Sequence, residues 1–135
     1  LAQNLYISAP SIAQHAALAC FEESTIAILE ARRHEFQRRR DFLLPALRKL
    51  GFKIGVEPEG AFYLCADISE LGGGAYAFCQ HFLETEYVAF TPGLDFGRYQ
   101  SQQHVRFAYT QNVSRLEQAV ERIARGLIAW REQLT

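Results

Sequence analysis

The sequence predicts an α+β fold, an α/β sandwich in which helices cover a small sheet of mostly short strands, with one long helix towards the N-terminus. Three observations carry this. Leu29, Phe36, Leu43, Leu47 and Leu50 recur on one helical stripe. "AFYLCADI", "YVAF" and "HVRFAYT" are short apolar or alternating runs of strand type. Further helical patterns separate and follow these runs, so strands and helices interleave.

Residues 1–10, "LAQNLYISAP", are mixed in character and end in Pro, which predicts an extended or loop segment. Ser11 is placed to cap a helix through "SIAQHAALACF", with Ile12, Ala16, Ala19 and Cys20 near helical spacing. Its small residues suit close packing against something large. The long helix is expected from about Ser24 to Leu50. Arg32, Arg33, Arg38, Arg39 and Arg40 crowd its other faces with Glu30 and Glu35, the pattern of a solvated face. Pro45 should kink or loosen it, and Gly51 should stop it. "FKIGVEPEG" is turn-rich with short extended pieces.

"AFYLCADI" reads as a buried strand and "SELGGG" as a loop. The glycines at 72–74 precede a helix but lack the Lys-Ser/Thr of a phosphate loop. Ala75, Phe78, Cys79, Phe82 and Leu83 mark an amphipathic helix from Ala75 to Glu86. "YVAF" is a short strand. In "HVRFAYT", Val105, Phe107 and Tyr109 alternate against Arg106 and Ala108. Asn112 or Ser114 starts the last helix. "SRLE" matches a capping box through Glu117, and Leu116, Ala119, Val120, Ile123, Leu127, Trp130 and Leu134 form the inner stripe.

The chain has 135 residues, 49% hydrophobic and 21% charged, which suits one globular domain or one and a fraction. A net charge of -1 offers no general attraction to nucleic acid or membrane surfaces. No apolar run approaches the ~18–20 residues that span a bilayer, and no signal peptide is legible at the N-terminus. Cys20, Cys65 and Cys79 are odd in number and widely spaced, which argues against a disulfide framework or zinc site and fits a cytoplasmic location. They are expected to be buried as small hydrophobes. His15, His34, His81 and His104 sit apart, so no metal site is expected. Without any Met, and opening on Leu1, the chain is expected to be a piece of a longer protein.

Arg106 stands out. A guanidinium in an otherwise apolar strand either faces solvent or needs a partner, and its planar fork suits a carboxylate. The loop "FTPGLDFG" just upstream brings aromatic rings and Gly backbone near it.

Five segments in order resemble the C-terminal part of the class I and II aminotransferases, fold-type I enzymes that use pyridoxal 5′-phosphate. "SAPSIAQHAALACF" resembles the family's last large-domain helix, and "RRRDFLLPALRKLGF" its long helix. "PEGAFYLCADIS" resembles the P-x-G-A-F-Y strand, "FTPGLDFG" the P-G-x-x-F-G loop, and "HVRFAYT" the strand whose Arg binds the substrate's α-carboxylate. The resemblance implies a tail of the large cofactor domain over 1–30 and the C-terminal small domain over 31–135. It implies that Arg106 is the carboxylate clamp and that Phe90, Pro92, Gly93 and Phe96 shape a pocket wall. Phe62 and Tyr63 would lie on the small-domain sheet, as core aromatics or as substrate contacts. Residues 4–8 would lie near the boundary with a second subunit of a homodimer.

The same resemblance places the Schiff-base Lys upstream, with the Asp that pairs with the pyridine nitrogen, the ring-stacking aromatic and most of the phosphate cup. Lys49 and Lys53 do not stand in the family's lysine context. No catalytic, cofactor-binding or metal residue is therefore expected in this chain, which alone should be inactive and should not retain the cofactor. The parent would transfer an amino group between an amino acid and a 2-oxo acid, with domain closure as this part's further contribution. A lyase or decarboxylase of the same fold, and a non-catalytic amino-acid-binding module that still uses Arg106, are the alternatives.

Overall fold

A computed structural model describes residues 1–134. The chain divides into two compact units, Leu1–Glu35 and the chain from Phe36 on, five residues beyond the boundary at 30 expected from sequence.

The first unit holds α1 (Ala2–Tyr6), α2 (Ser11–Ala19) and the start of α3 (Glu23–Lys49). Residues 1–10 are thus not wholly extended. Asn4 and Leu5 donate their N–H groups to the Leu1 carbonyl, which closes a short helix before Pro10. Ser11 is the first residue of α2 rather than its cap, and the capping position falls to Pro10, which has no side-chain acceptor. Helix α2 buries no residue, and Ile12, Leu18 and Phe21 are largely exposed.

The second unit orders α3, β1 (Tyr63–Asp67), α4 (Ala75–Glu86), β2 (Thr91–Pro92), β3 (His104–Ala108) and α5 (Val113–Gln133). The strands form a three-stranded antiparallel sheet in the order β1-β3-β2. Lys53, outside the named strands, and Asp67 at the end of β1 exchange both backbone hydrogen bonds, at 3.1 and 2.8 Å. Val105 and Phe107 on β3 face inward, as the alternation in the sequence predicts, and so do Leu64 and Ala66 on β1; "AFYLCADI", expected as a buried strand, buries one face and leaves Cys65 exposed on the other. The inward residues meet Leu43, Leu44 and Leu47 of α3, Phe78 and Phe82 of α4, and Leu116, Ile123, Leu127 and Trp130 of α5. Pro45 does not end α3, which continues to Lys49; Gly51, at φ +97°, follows as its stop.

Three local expectations change. "YVAF" is not a strand. Tyr87 closes α4 in the left-handed region at φ 55°, and the Val88 N–H returns to the Phe82 carbonyl at 3.1 Å. Those backbone groups finish the helix, so pairing with β3 starts only at Thr91. Of the two starts expected for α5, Asn112 is the cap, in place of the Ser114–Glu117 capping box: its side chain accepts from the Arg115 N–H at 3.0 Å, and the Ser114 hydroxyl donates to the same Asn112 oxygen. Of the three cysteines, Cys79 alone is buried; Cys20 and Cys65 are exposed. Burial pushes the Cys79 thiol up to about 12, so it stays a neutral packing group.

Gly73 sits at φ +72°, and a Cβ there would lie 2.4 Å from Cζ2 of Trp130. That ring is held by its own Nε1–H, which donates to the Leu71 carbonyl at 3.1 Å. Gly73→Ala combines left-handed strain of about 1–2 kcal/mol with overpacking of about 1–3 kcal/mol. It is expected to lower unfolding free energy by about 2–5 kcal/mol in a denaturant melt; a loss below about 0.5 kcal/mol would contradict this packing.

Candidate functional site

The inward face of the sheet is filled, so side chains free to meet a ligand are on the other. Strand alternation puts Tyr63, Cys65 and Asp67 of β1 and His104, Arg106 and Ala108 of β3 on that face. The register sets Cys65 opposite Arg106 and Asp67 opposite His104, and Thr91 of β2 flanks Arg106 on the other side. Arg106 is therefore on the central strand, with neighbours on both sides.

Its guanidinium carbon lies 3.4 Å from the centroid of the Phe96 ring and 4.0 Å from that of Tyr63. Ring faces carry negative potential, so two of them offset part of the cost of removing a cation from water. The Arg106 Nε is buried and makes no hydrogen bond, alone in this among the described residues. Of the two outcomes left open by the sequence, a solvent-facing side chain or a partnered one, the structure shows neither simply. The group is half-buried and held on rings, without a carboxylate partner among the described residues.

Two cavities meet at this side chain. One, of about 590 Å³, is lined by Lys53, Val56, Pro58, Tyr63, Asp67 and Arg106 among others. The second, of about 420 Å³, is lined by Gly93, Phe96, Tyr99, Gln100 and Arg106 among others. Cys65 and His104 line both. Cys65 has exposed surface, but the protein around its thiol still removes part of the water and raises its pKa, with Arg106 pulling the other way. Burial pushes the Asp67 carboxyl up, but the Ser69 N–H, donating at 2.7 Å, and then His104 and Lys53 outweigh it, so the net shift is downward.

The loop residues named from sequence separate into two groups. Gly93 and Phe96 line the second cavity with Arg106. Gly93 has a steric reason: a Cβ there would fall 2.7 Å from the Ser101 carbonyl oxygen and 2.9 Å from that of His104. Phe90 turns the other way. Its ring packs in the core on Phe107 at 4.7 Å, Phe82 at 5.4 Å and Phe78 at 5.8 Å. Pro92 is in β2, opposite Val105, and lines neither of these two cavities. Phe62, which could be a core aromatic or a substrate contact, packs on Phe36 at 6.0 Å. Tyr63, its neighbour, faces the guanidinium. The signal for Tyr63, Cys65 and Asp67 was in the sequence, because the alternation of "YLCAD" puts them on one face.

Lys49 and Lys53 do not suit a carbonyl-condensing role. Such a lysine must react as the free amine, which burial in apolar surroundings favours. Both are exposed, and Lys53 pairs with Glu70 at 2.7 Å, a hydrogen bond that raises its pKa.

Fold and site together define an α+β domain that presents one aromatic-held guanidinium on the open face of its sheet. The family description "Aminotransferase class I and II" matches residues 1–123, and the chain belongs to that family. It is 36% identical over 123 residues to a (5-formylfuran-3-yl)methyl phosphate transaminase of Methanocaldococcus jannaschii, covering 91% of this chain and 32% of that protein. It is 38% identical over 122 residues to an aspartate/prephenate aminotransferase of Thermus thermophilus, covering 89% of this chain and 30% of the relative. A crystal structure of an aminotransferase from Mycobacterium tuberculosis superposes with a TM-score of 0.84 at 30% identity, over 94% of this chain and 33% of that one. The chain thus spans about a third of the length of these relatives. Among the described residues no helix is long and apolar enough to cross a membrane.

Proposed function

We propose that this chain is the C-terminal part of a pyridoxal-phosphate-dependent aminotransferase, and that Arg106 grips the α-carboxylate shared by its amino-acid and 2-oxo-acid substrates. The observation that carries the reading is the Arg106 guanidinium, held on two rings beside two cavities and without an acidic partner among the described residues. A fixed fork that binds a carboxylate orients the rest of the substrate, which converts binding into reactive alignment.

Residues 1–30 are read as the tail of a large domain, and its remainder as the partner of the exposed apolar residues Ile12, Leu18 and Phe21. Those are the residues a covering domain would bury. A homodimer of the parent, with residues 4–8 near the subunit boundary, belongs to the same reading, as does a cytoplasmic location. The cofactor is assigned to the parent and not to this chain, because both lysines here are exposed and neither has the buried setting that anchoring needs.

Two measurements test the reading. The full-length protein should transfer amino groups only when a 2-oxo acid is supplied. Release of ammonia and pyruvate without an acceptor would assign it to a lyase instead. The purified 135-residue chain should show no stoichiometric retention of pyridoxal 5′-phosphate in equilibrium dialysis. Retention at one equivalent would overturn the assignment of the cofactor to the missing part.

A further inference from the structure

We propose that Tyr63 and Phe96 are positioning residues for Arg106, which leave its Nη1–Nη2 edge as the bidentate fork offered to the substrate. This rests on the reading that Arg106 holds the substrate carboxylate. A guanidinium can grip a carboxylate in two ways, side-on through Nε and one Nη, or end-on through both Nη groups. Here Nε is buried without an acceptor, so a carboxylate cannot reach the side-on edge. The Nη groups are not among the buried unpartnered atoms, and the side chain is half-buried and lines two cavities, so that edge is the one a carboxylate can approach.

The two rings are what hold that orientation. Tyr63 comes from β1, where it pairs with Ala108 next to the Cys65–Arg106 pair. Its ring also rests on Phe62 at 4.2 Å, and Phe62 rests on Phe36. Tyr63 is therefore fixed by the sheet and by a ring stack behind it. Phe96 comes from the loop that Gly93 seats against the Ser101 and His104 carbonyls. Its ring is 52% exposed, so core burial does not account for its place. What the ring does touch is the guanidinium, at 3.4 Å. A long Arg side chain without an ion pair would otherwise sample many rotamers, and each carboxylate bound would have to freeze them.

The test uses the full-length protein, with Phe96→Leu, Phe96→Tyr, Tyr63→Leu, Tyr63→Phe and Arg106→Gln. Steady-state constants are measured for the amino acid and for its carboxamide, which lacks the anionic group. Losing one ring should raise the amino-acid KM about 3- to 5-fold, the upper part of the range of a partly exposed cation–π contact, with kcat changed less than about 3-fold. The aromatic replacements should restore KM, and the carboxamide KM should rise less than the amino-acid KM in either Leu variant. Because Phe96 is half exposed, its Leu variant keeps the fold, and circular dichroism verifies this. If both Leu variants leave KM within about 2-fold while Arg106→Gln raises it, the positioning role is wrong and the clamp stands. If the carboxamide suffers as much as the amino acid, the rings shape the pocket rather than aim the fork, and the proposal falls. If Arg106→Gln itself leaves KM unchanged, the clamp reading falls and the proposal with it.

Discussion

Replacing Arg106 by Gln in the full-length protein should cut kcat/KM for amino-acid substrates by roughly 30- to 4,000-fold, with the fold intact. Removing one partner of a desolvated, hydrogen-bonded charge pair costs about 2–5 kcal/mol, and each 1.4 kcal/mol is tenfold. Stability should change much less. Among the described residues Arg106 has no ion pair to lose, and its contacts are with the rings of Tyr63 and Phe96. Each is worth about 0.5–1 kcal/mol at a partly exposed site. Gln also removes a buried, unbonded Nε, which offsets part of that loss. The two magnitudes separate the roles: a structural arginine would lose stability first, a clamp loses substrate affinity first. Arg106→Lys should recover only part of the activity, since a point charge cannot match two carboxylate oxygens at once. A variant with unchanged kcat/KM, or one that unfolds, would refute the assignment.

The sequence carried the sheet faces further than the loops. Alternation in "VRFAY" separated Val105, Phe107 and Tyr109 from Arg106 and Ala108, and the structure keeps that separation. The same rule was available for "YLCAD" and would have set Tyr63 and Cys65 beside Arg106. Loop direction was not legible in this way. Phe90 and Phe96 are both aromatic and six positions apart, yet one ring fills the core and the other covers a cation. What decides between them is Tyr87, which ends α4 in the left-handed region and re-aims the chain before Thr91. A non-glycine residue at positive φ has no strong sequence signature. Gly126 was likewise silent: a Cβ there would lie 2.6 Å from the Phe82 ring, so α4 and α5 approach through a gap that no periodicity reports. Family resemblance supplied what periodicity could not, the grouping of the 90–97 loop with Arg106.

Phe78→Ala should be the most destabilising single truncation in the second unit. The side chain is fully buried, and its ring touches those of Phe82 at 4.7 Å, Trp130 at 5.2 Å, Phe90 at 5.8 Å and Phe52 at 6.0 Å. Deleting such a ring costs about 3–5 kcal/mol, through lost transfer energy and a cavity that rigid neighbours cannot fill. That is a large share of the about 5–15 kcal/mol that holds a domain together. Trp130 is the sole tryptophan and packs edge-on against Phe78, so its fluorescence in a urea titration reports this core directly. The midpoint should fall with the slope unchanged. Phe78→Leu, which keeps most of the volume, should lose much less. The consequence reaches the site through packing. Phe52 and Phe90, both on Phe78, also rest on Phe107, and Phe107 precedes Ala108 and follows Arg106 on the central strand. A softened core under β3 should therefore loosen the clamp, and in the full-length protein Phe78→Leu should raise KM modestly while Phe78→Ala raises it further. Equal KM values in both variants, with the stability loss present, would show that β3 holds Arg106 without help from the aromatic cluster beneath it.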